Sequence, residues 1–211
     1  MLQVPRLALA LALASSSALS SGARDYPLFM QCDPAWGDNE MGVNGNGERS
    51  TVCGEGCAMS CVSMALRGLG VPIDGRPANP GTLNAWLESN SGYTCIDGDC
   101  NNLVLGAPSG IDARFALISE SALPSYDVIA AALAAGDTAF VAHKHICDPS
   151  CHSHFVLLVE AIGNGNFTVR DPNYPTAPVN MAQISDAIMY NISAFPSAQR
   201  SALRLGAQPR A

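Results

Sequence analysis

Apolar residues recur at helical spacing in several parts of this chain. The best-defined stretch follows Gly56 and stops before Gly70 and Pro72, residues that end helices. Another stretch begins with Pro80, and proline is favoured in the first turn of a helix. A third lies between Ser125, a capping residue, and Gly136. The predicted helices are Cys57–Leu69, Pro80–Ser89, Tyr126–Ala135 and a short fourth helix that Asn180 caps and that runs to about Met189.

Short apolar runs typical of strands lie mainly in the second half of the chain. Gly163-Asn164-Gly165 is a hairpin turn signal, so we expect the runs on either side of it to pair as antiparallel strands. Ahead of the first helix, we expect a short edge strand within 24–30 and an irregular segment over 31–51. The predicted strands are Ile111–Ile118, Thr138–Ala142, Ser153–Ile162 and Phe167–Asp171. Helices early and antiparallel strands late predict a single α+β domain.

The N-terminal residues have the pattern of a secretory signal peptide. Arg6 precedes a short apolar core, and small residues follow it up to Ala23. The core is too short to span a bilayer, although a membrane anchor is the alternative. We therefore expect a signal peptide over 1–23, a domain over 24–196 and a flexible tail over 197–211. The expected location is secreted or extracytoplasmic, with no stable membrane insertion once the signal is removed.

The charge balance excludes some partners. There are 18 acidic and 11 basic residues, a net charge of −7, and Lys144 is the only lysine. Without a basic patch, neither nucleic acid nor an anionic membrane surface is an expected partner. Asn166 and Asn191 begin glycosylation sequons, which matter only in a eukaryotic secretory route.

The chain has eight cysteines, which indicate disulfides in an exported protein. Cys95–Cys100 and Cys147–Cys151 enclose short loops, and Cys32–Cys53 would tie the segment before the first helix to the chain just ahead of that helix. Cys57 and Cys61 then remain, four residues apart on one helix, where a bridge would be strained. The alternative is that all eight cysteines pair and Cys57 is merely structural.

Cys57 is the strongest candidate for a chemically reactive residue. It lies in the first turn of a helix, where the helix dipole and the free N–H groups favour a thiolate. His154 opens a buried strand, and Asp171 closes the next strand across the hairpin. The two side chains then project from the same face, offset by two or four residues depending on the register. A thiol, an imidazole and an orienting carboxylate form a nucleophilic set. The Gln31 amide and the Cys57 N–H are candidate oxyanion donors.

A metal site is the rival interpretation of the histidines. The segment 143–154 contains four histidines and two cysteines. It lacks the Cys-x-x-Cys spacing of structural zinc sites, and in an oxidising compartment its cysteines favour a disulfide. We therefore expect neither a metal nor a cofactor.

A series of short motifs follows in order along most of the mature chain. They are Gln31-x-Asp33-x-x-Trp36, Gly56-Cys57 with Ser60, Met64, Leu66 and Gly70, Leu83-Asn84-x-Trp86-Leu87 with Gly92-Tyr93, Ala135-Gly136-x-x-Ala139-Phe140-Val141, His154-Phe155-Val156 and Val169-Arg170-Asp171-Pro172-Asn173. This ordered set resembles papain-like cysteine peptidases of the bacteriocin-processing type (cysteine peptidase family thirty-nine), and most of all their secreted relatives.

The resemblance implies a papain-like fold, in which an N-terminal nucleophile helix packs on a C-terminal antiparallel sheet. It also implies Cys57 as nucleophile, His154 as base, Asp171 as its orienter and Gln31 as oxyanion donor. The expected function is a secreted peptidase acting on peptides or proteins. Two alternatives stay open: a thiol amidase or transpeptidase with the same residues, and a catalytically inactive, disulfide-stabilised binding module.

Overall fold

A computed structural model describes residues 24–147 and 151–195, with side chains for 24–145 and 154–195. The predicted signal peptide, the predicted tail and the loop between Cys147 and Cys151 lie outside the described residues. Within the described part, no helix is long and apolar enough to cross a membrane.

Four α-helices occur in the described residues, and three of them are those that the capping pattern predicts. The Asn79 side chain accepts a hydrogen bond from the Thr82 N–H at the start of the helix that Pro80 opens. Gly136, at φ +68°, ends the last helix in the left-handed conformation that suits glycine. The helices are α1 Val52–Glu55, α2 Cys57–Gly68, α3 Pro80–Ser89 and α4 Tyr126–Ala135.

The strands form one large sheet and three small hairpins. They are β1 Glu40–Val43, β2 Arg49–Thr51, β3 Pro72–Ile73, β4 Arg76–Pro77, β5 Tyr93–Ile96, β6 Asp99–Leu103, β7 Ala116–Ala122, β8 Thr138–Cys147, β9 Cys151–Gly163, β10 Asn166–Arg170, β11 Val179–Asn180 and β12 Ile184–Asn191. The large sheet has six antiparallel strands in the order β11-β10-β9-β8-β12-β7. The fold is therefore α+β.

The large sheet is covered on both faces. On one face, Val141, Leu157 and Ile188 are cross-strand neighbours that join the core cluster containing α2. On the other, alternate residues such as Phe140 and Val156 pack with α4. Burial on both faces explains why β8 and β9 have nearly continuous apolar sequences rather than alternating ones.

The segment before the first helix is an extended strap, not the predicted edge strand. Residues 24–30 pair with no strand of the sheet. The Arg24 guanidinium instead donates to the Gly136 carbonyl oxygen at 2.7 Å. The Tyr26 side chain is 1% exposed, and its carbonyl oxygen accepts from Arg170 Nε at 2.7 Å. Polar contacts from Arg24 and Tyr26 to Gly136 and Arg170, rather than ladder hydrogen bonds, hold this segment in place.

The predicted fourth helix is wrong. Asn180 does form a capping box, but only with the single 3₁₀ turn Met181–Gln183. The chain then continues as β12, which lies between β8 and β7. Ile188 and Tyr190 are buried against the α2 side of the sheet, and the alternating Ala187 and Met189 pack on the other side. Pairing with strands distant in sequence decides this segment, and local capping signals do not report such pairing.

Other segments also differ from the sequence prediction. The strand expected over 111–118 begins only at Ala116, because a 3₁₀ turn at Ala107–Gly110 and a bend precede it. The segment 31–51, expected to be irregular, contains the hairpin of β1 and β2.

We predict that Tyr190→Ala lowers the free energy of unfolding by about 3–5 kcal/mol. The Tyr190 ring is fully buried and stacks on Phe115 with centroids 4.4 Å apart, and its hydroxyl donates to the Leu105 carbonyl at 2.8 Å. Tyr190→Phe keeps the ring and should cost only about 1 kcal/mol. Urea denaturation followed by circular dichroism measures both. An alanine variant as stable as the phenylalanine variant would contradict this placement of β12.

Candidate active site

The site is built around the start of α2. Thr51 caps the short helix α1, accepting a hydrogen bond from the Gly54 N–H at 3.2 Å. The chain passes through Gly56 and begins α2 at Cys57, whose side chain is half-buried. The first N–H groups of a helix have no intrahelical acceptor, so they are available to an anion near Cys57.

Only glycine fits between the two helices. The Gly56 N–H donates to the Val52 carbonyl at 2.9 Å. A β-carbon at Gly56 would lie 2.4 Å from the Val52 carbonyl oxygen and 2.9 Å from its Cγ1. This close approach fixes the position of Cys57 at the head of α2.

Cys57 and Cys61 differ sharply in environment. Cys61 is fully buried, and its thiol donates to the Phe155 carbonyl at 3.4 Å. Burial, and secondarily the nearby Cys57, raise the pKa of the Cys61 thiol well above its ordinary value. Neither cysteine is in a disulfide, so the alternative in which all eight cysteines pair does not hold. Cys57 is the more accessible of the two thiols.

His154 and Asp171 come together because the β9–β10 ladder has two bulges, each with its extra residue on β9. The turn register pairs Asn166 with Gly163, and continuing it would leave Asp171 four residues from His154 along the ladder. At two points β9 advances two residues while β10 advances one, and these shifts instead bring Arg170 opposite Leu157. Asp171 thereby falls two residues from His154, within diagonal reach on the same face.

The imidazole and the carboxylate form a buried pair. His154 Nε2 lies 2.7 Å from Asp171 Oδ1, and the two residues are 5% and 2% exposed. The same carboxylate oxygen accepts the backbone N–H groups of Asn173 and Tyr174, each at 3.0 Å. Burial acts to raise the pKa of Asp171, but the hydrogen bonds from His154 and from Asn173 hold it below its ordinary value. Asp171 is therefore an anion that orients the ring.

Cys57 is the second group that acts on the imidazole. Burial acts to lower the pKa of His154, but its hydrogen bonds to Asp171 and to Cys57 outweigh burial and raise that pKa to about 9. Because Nε2 faces Asp171, Nδ1 is the ring nitrogen left for the Cys57 sulfur. The imidazole thus interacts with the Asp171 carboxylate and with the Cys57 sulfur.

Gln31 directly follows the strap and is held by two hydrogen bonds, one beside Asp171 and one just ahead of α2. Its backbone N–H donates to the Pro172 carbonyl at 2.7 Å, directly beside Asp171. Its side-chain Nε2 donates to the Cys53 carbonyl at 2.6 Å, four residues before Cys57. A primary amide has two N–H donors, so one remains for another acceptor. Gln31 is 3% exposed, and its Oε1 has no hydrogen-bond partner among the described residues.

Two neighbours of the site were missed by the sequence analysis. Tyr174 sets its ring edge-on to His154, with centroids 5.3 Å apart, and is 43% exposed. Lys144 is the cross-strand partner of His154, and its Nζ lies 4.0 Å from Asp171 Oδ2. The only signals for them were the position of Tyr174 three residues after Asp171 and the isolation of a single lysine.

Two of the three predicted disulfides form. The sulfur atoms of Cys32–Cys53 are 1.94 Å apart and those of Cys95–Cys100 are 2.02 Å apart. The third prediction, Cys147–Cys151, concerns side chains outside the described residues, although the two residues are backbone partners at the end of the β8–β9 hairpin.

The histidine-rich segment does not assemble a metal centre in the part of the chain that is described. There, no three histidine, cysteine or carboxylate side chains are grouped so that they could hold a metal ion. His143 instead contacts Asp186, and His154 belongs to the Asp171 pair.

Comparison with known proteins gives no relative from which a function follows: a scan against protein-family models and a search of curated proteins found no match to this chain. Inference about function therefore depends on the geometry of the site.

We predict that Gly56→Ala lowers the free energy of unfolding by about 1–3 kcal/mol, because the added methyl group collides with Val52 backbone atoms. Gly54→Ala is the matched control. A β-carbon there would lie 3.6 Å from Thr51 Oγ1, an ordinary contact, so this variant should keep its stability or gain slightly. Chemical denaturation compares the two, and equal stability would contradict the close approach.

We also predict a pH-dependent stability from the His154–Asp171 pair. The raised pKa of His154 gives stability that is complete below about pH 6.5 and is lost as pH rises through about 9. The lowered pKa of Asp171 gives stability that is present above about pH 3.8 and is lost as pH falls. The advantage of the wild type over Asp171→Asn in free energy of unfolding should thus be largest from about pH 4 to 6.5.

Urea denaturation across this pH range measures the difference. The control is Asp74→Asn, which removes an exposed carboxylate in the turn between β3 and β4. Its difference from the wild type should stay constant as pH rises from about 6.5 to about 9. An Asp171→Asn difference that also stays constant would rule out the charged pair.

Proposed function

We propose that the protein is a secreted cysteine peptidase with a papain-like fold. One observation carries the proposal: Cys57, His154 and Asp171, which come from a helix, a strand and the end of the next strand, form one connected set. The packing of α2 against β9 and β8 supports the papain-like arrangement of a nucleophile helix on an antiparallel sheet. The two disulfides support an oxidising, extracytoplasmic location.

In the proposed reaction, the Cys57 sulfur attacks the carbonyl carbon of a peptide bond. His154 holds the thiol proton as an imidazolium and gives it to the leaving amine as the C–N bond breaks. Water then attacks the Cys57 thioester while His154 takes its proton, and the acid product and the thiol are released. Asp171 stays ionised and keeps the ring oriented throughout.

The oxyanion of each tetrahedral intermediate would lie at the start of α2. The Cys57 N–H and the second N–H of the Gln31 amide are the proposed donors. The anchoring of Gln31 at both its backbone and its side chain favours this role, because a preorganised donor needs no rearrangement during the reaction.

Alkylation with iodoacetamide tests the proposal. We predict that Cys57 is modified faster than Cys61 near neutral pH, since Cys61 is buried and its pKa is raised. Peptide mapping by mass spectrometry assigns the label to each cysteine. His154→Ala should slow Cys57 alkylation and should lower peptide hydrolysis by about two orders of magnitude or more.

Cys57→Ser and Cys61→Ser form the matched pair for activity. The first should abolish hydrolysis of an unstructured protein substrate, whereas the second should retain most of it. Equal labelling of both thiols, or hydrolysis that survives Cys57→Ser, would overturn the proposal. Product analysis with added amines would separate hydrolysis from transfer to another acceptor.

A further inference from the structure

A second histidine–aspartate pair lies one strand away from the site. His143 Nδ1 lies 3.1 Å from Asp186 Oδ2, and the two side chains are 23% and 28% exposed. The His143 ring stacks on Phe155, with centroids 4.7 Å apart and planes inclined by 17°. Ser185 Oγ donates to the same Asp186 oxygen at 2.7 Å. The peptidase mechanism proposed above uses none of these side chains.

The strand register places this pair beside the nucleophile. Asp186, His143 and Phe155 are successive cross-strand partners on β12, β8 and β9. Phe155 follows His154 directly, and its carbonyl oxygen accepts the Cys61 thiol one turn along the helix from Cys57. The next row of the same face is Ile188, Val141 and Leu157, which is fully buried in the cluster containing α2. The partly exposed row therefore lies where the buried core ends, on the face that α2 covers, while His154 projects from the opposite face of β9.

One oxygen of Asp186 is available for a ligand. Both hydrogen bonds to its carboxylate, from His143 and from Ser185, go to Oδ2, and Oδ1 has no partner among the described residues. The stacked His143 ring holds the carboxylate in place, and Phe155 supplies an apolar surface beside it. An apolar surface that ends in a carboxylate oxygen suits a side chain with an apolar stem and a cationic end.

We propose that this row, Phe155, His143 and Asp186, binds a lysine or arginine side chain of the substrate close to the scissile bond. The inference rests on the proposed peptidase function and names its substrate class. Asp186 is two strand spacings from β9, about 10 Å, a distance that an extended peptide covers in about three residues. The basic residue therefore lies within three positions of the cleaved bond. The net charge of −7 also attracts cationic peptides.

Pairs of fluorogenic peptides test the inference. The two peptides of a pair differ only in having arginine or leucine at one of the three positions on either side of the cleaved bond. The wild type should prefer arginine at one position by about tenfold or more in kcat/KM. Asp186→Asn should remove most of that preference while changing kcat/KM for the leucine peptide less than about threefold. Asp74→Asn, the same change in an exposed turn, should leave both values unaltered.

Inhibition of the wild type by small amides gives a second test that needs no variant. Argininamide or leucinamide is added during cleavage of the leucine peptide. Argininamide should be the stronger competitive inhibitor. Equal inhibition by the two amides, or an arginine preference that survives Asp186→Asn, overturns this inference alone. If no peptide is cleaved and Cys57 is not alkylated selectively, the peptidase proposal fails, and the substrate inference fails with it.

Discussion

The hydrogen bond between His154 and Asp171 is the interaction on which the arrangement of the site depends. A carboxylate that is 2% exposed is costly to keep ionised unless it is paired and hydrogen-bonded. Asp171 meets this cost with the imidazole and with two backbone N–H groups of the turn that follows it. The ring is consequently fixed at one nitrogen, and its other nitrogen is left for another partner.

Bringing His154 and Asp171 within hydrogen-bond distance constrains the conformation of the surrounding chain. The β9–β10 register has to shift twice to bring Asp171 within diagonal reach of His154, and the end of β10 is then held by the strap. Arg170 bonds to the Tyr26 carbonyl, and the Gln31 N–H bonds to the Pro172 carbonyl on the other side of Asp171. The strap thus contacts the chain on both sides of the carboxylate and at the same time positions the Gln31 amide. One extended segment connects the orienting carboxylate to the proposed oxyanion donor.

The sequence was most informative where a structural signal is local. α3 and α4 begin and end at the predicted residues because Asn79, Pro80 and Gly136 act within a single turn. β12 was missed because its partners are β8 and β7, and the capping signal at Asn180 serves only a 3₁₀ turn.

The same distinction applies to the site. Residue type and position suggested Cys57, His154 and Asp171, whereas the bulges that set the offset between the last two cannot be read from the sequence. Asp186 was missed for a related reason: it becomes a neighbour of His143 only through the pairing of β12 with β8.

The Cys32–Cys53 disulfide lies close in sequence to the free thiol of Cys57. The disulfide persists only under oxidising conditions, whereas the thiol persists only under reducing ones. Cys53 lies four residues before Cys57, its carbonyl oxygen holds the Gln31 amide, and Cys32 directly follows Gln31 on the exposed surface. A reductant that protects the proposed nucleophile from oxidation also acts on the bridge beside the proposed oxyanion donor. Handling this protein is therefore a compromise, in which too little reductant leaves the nucleophile oxidised and too much loosens its surroundings.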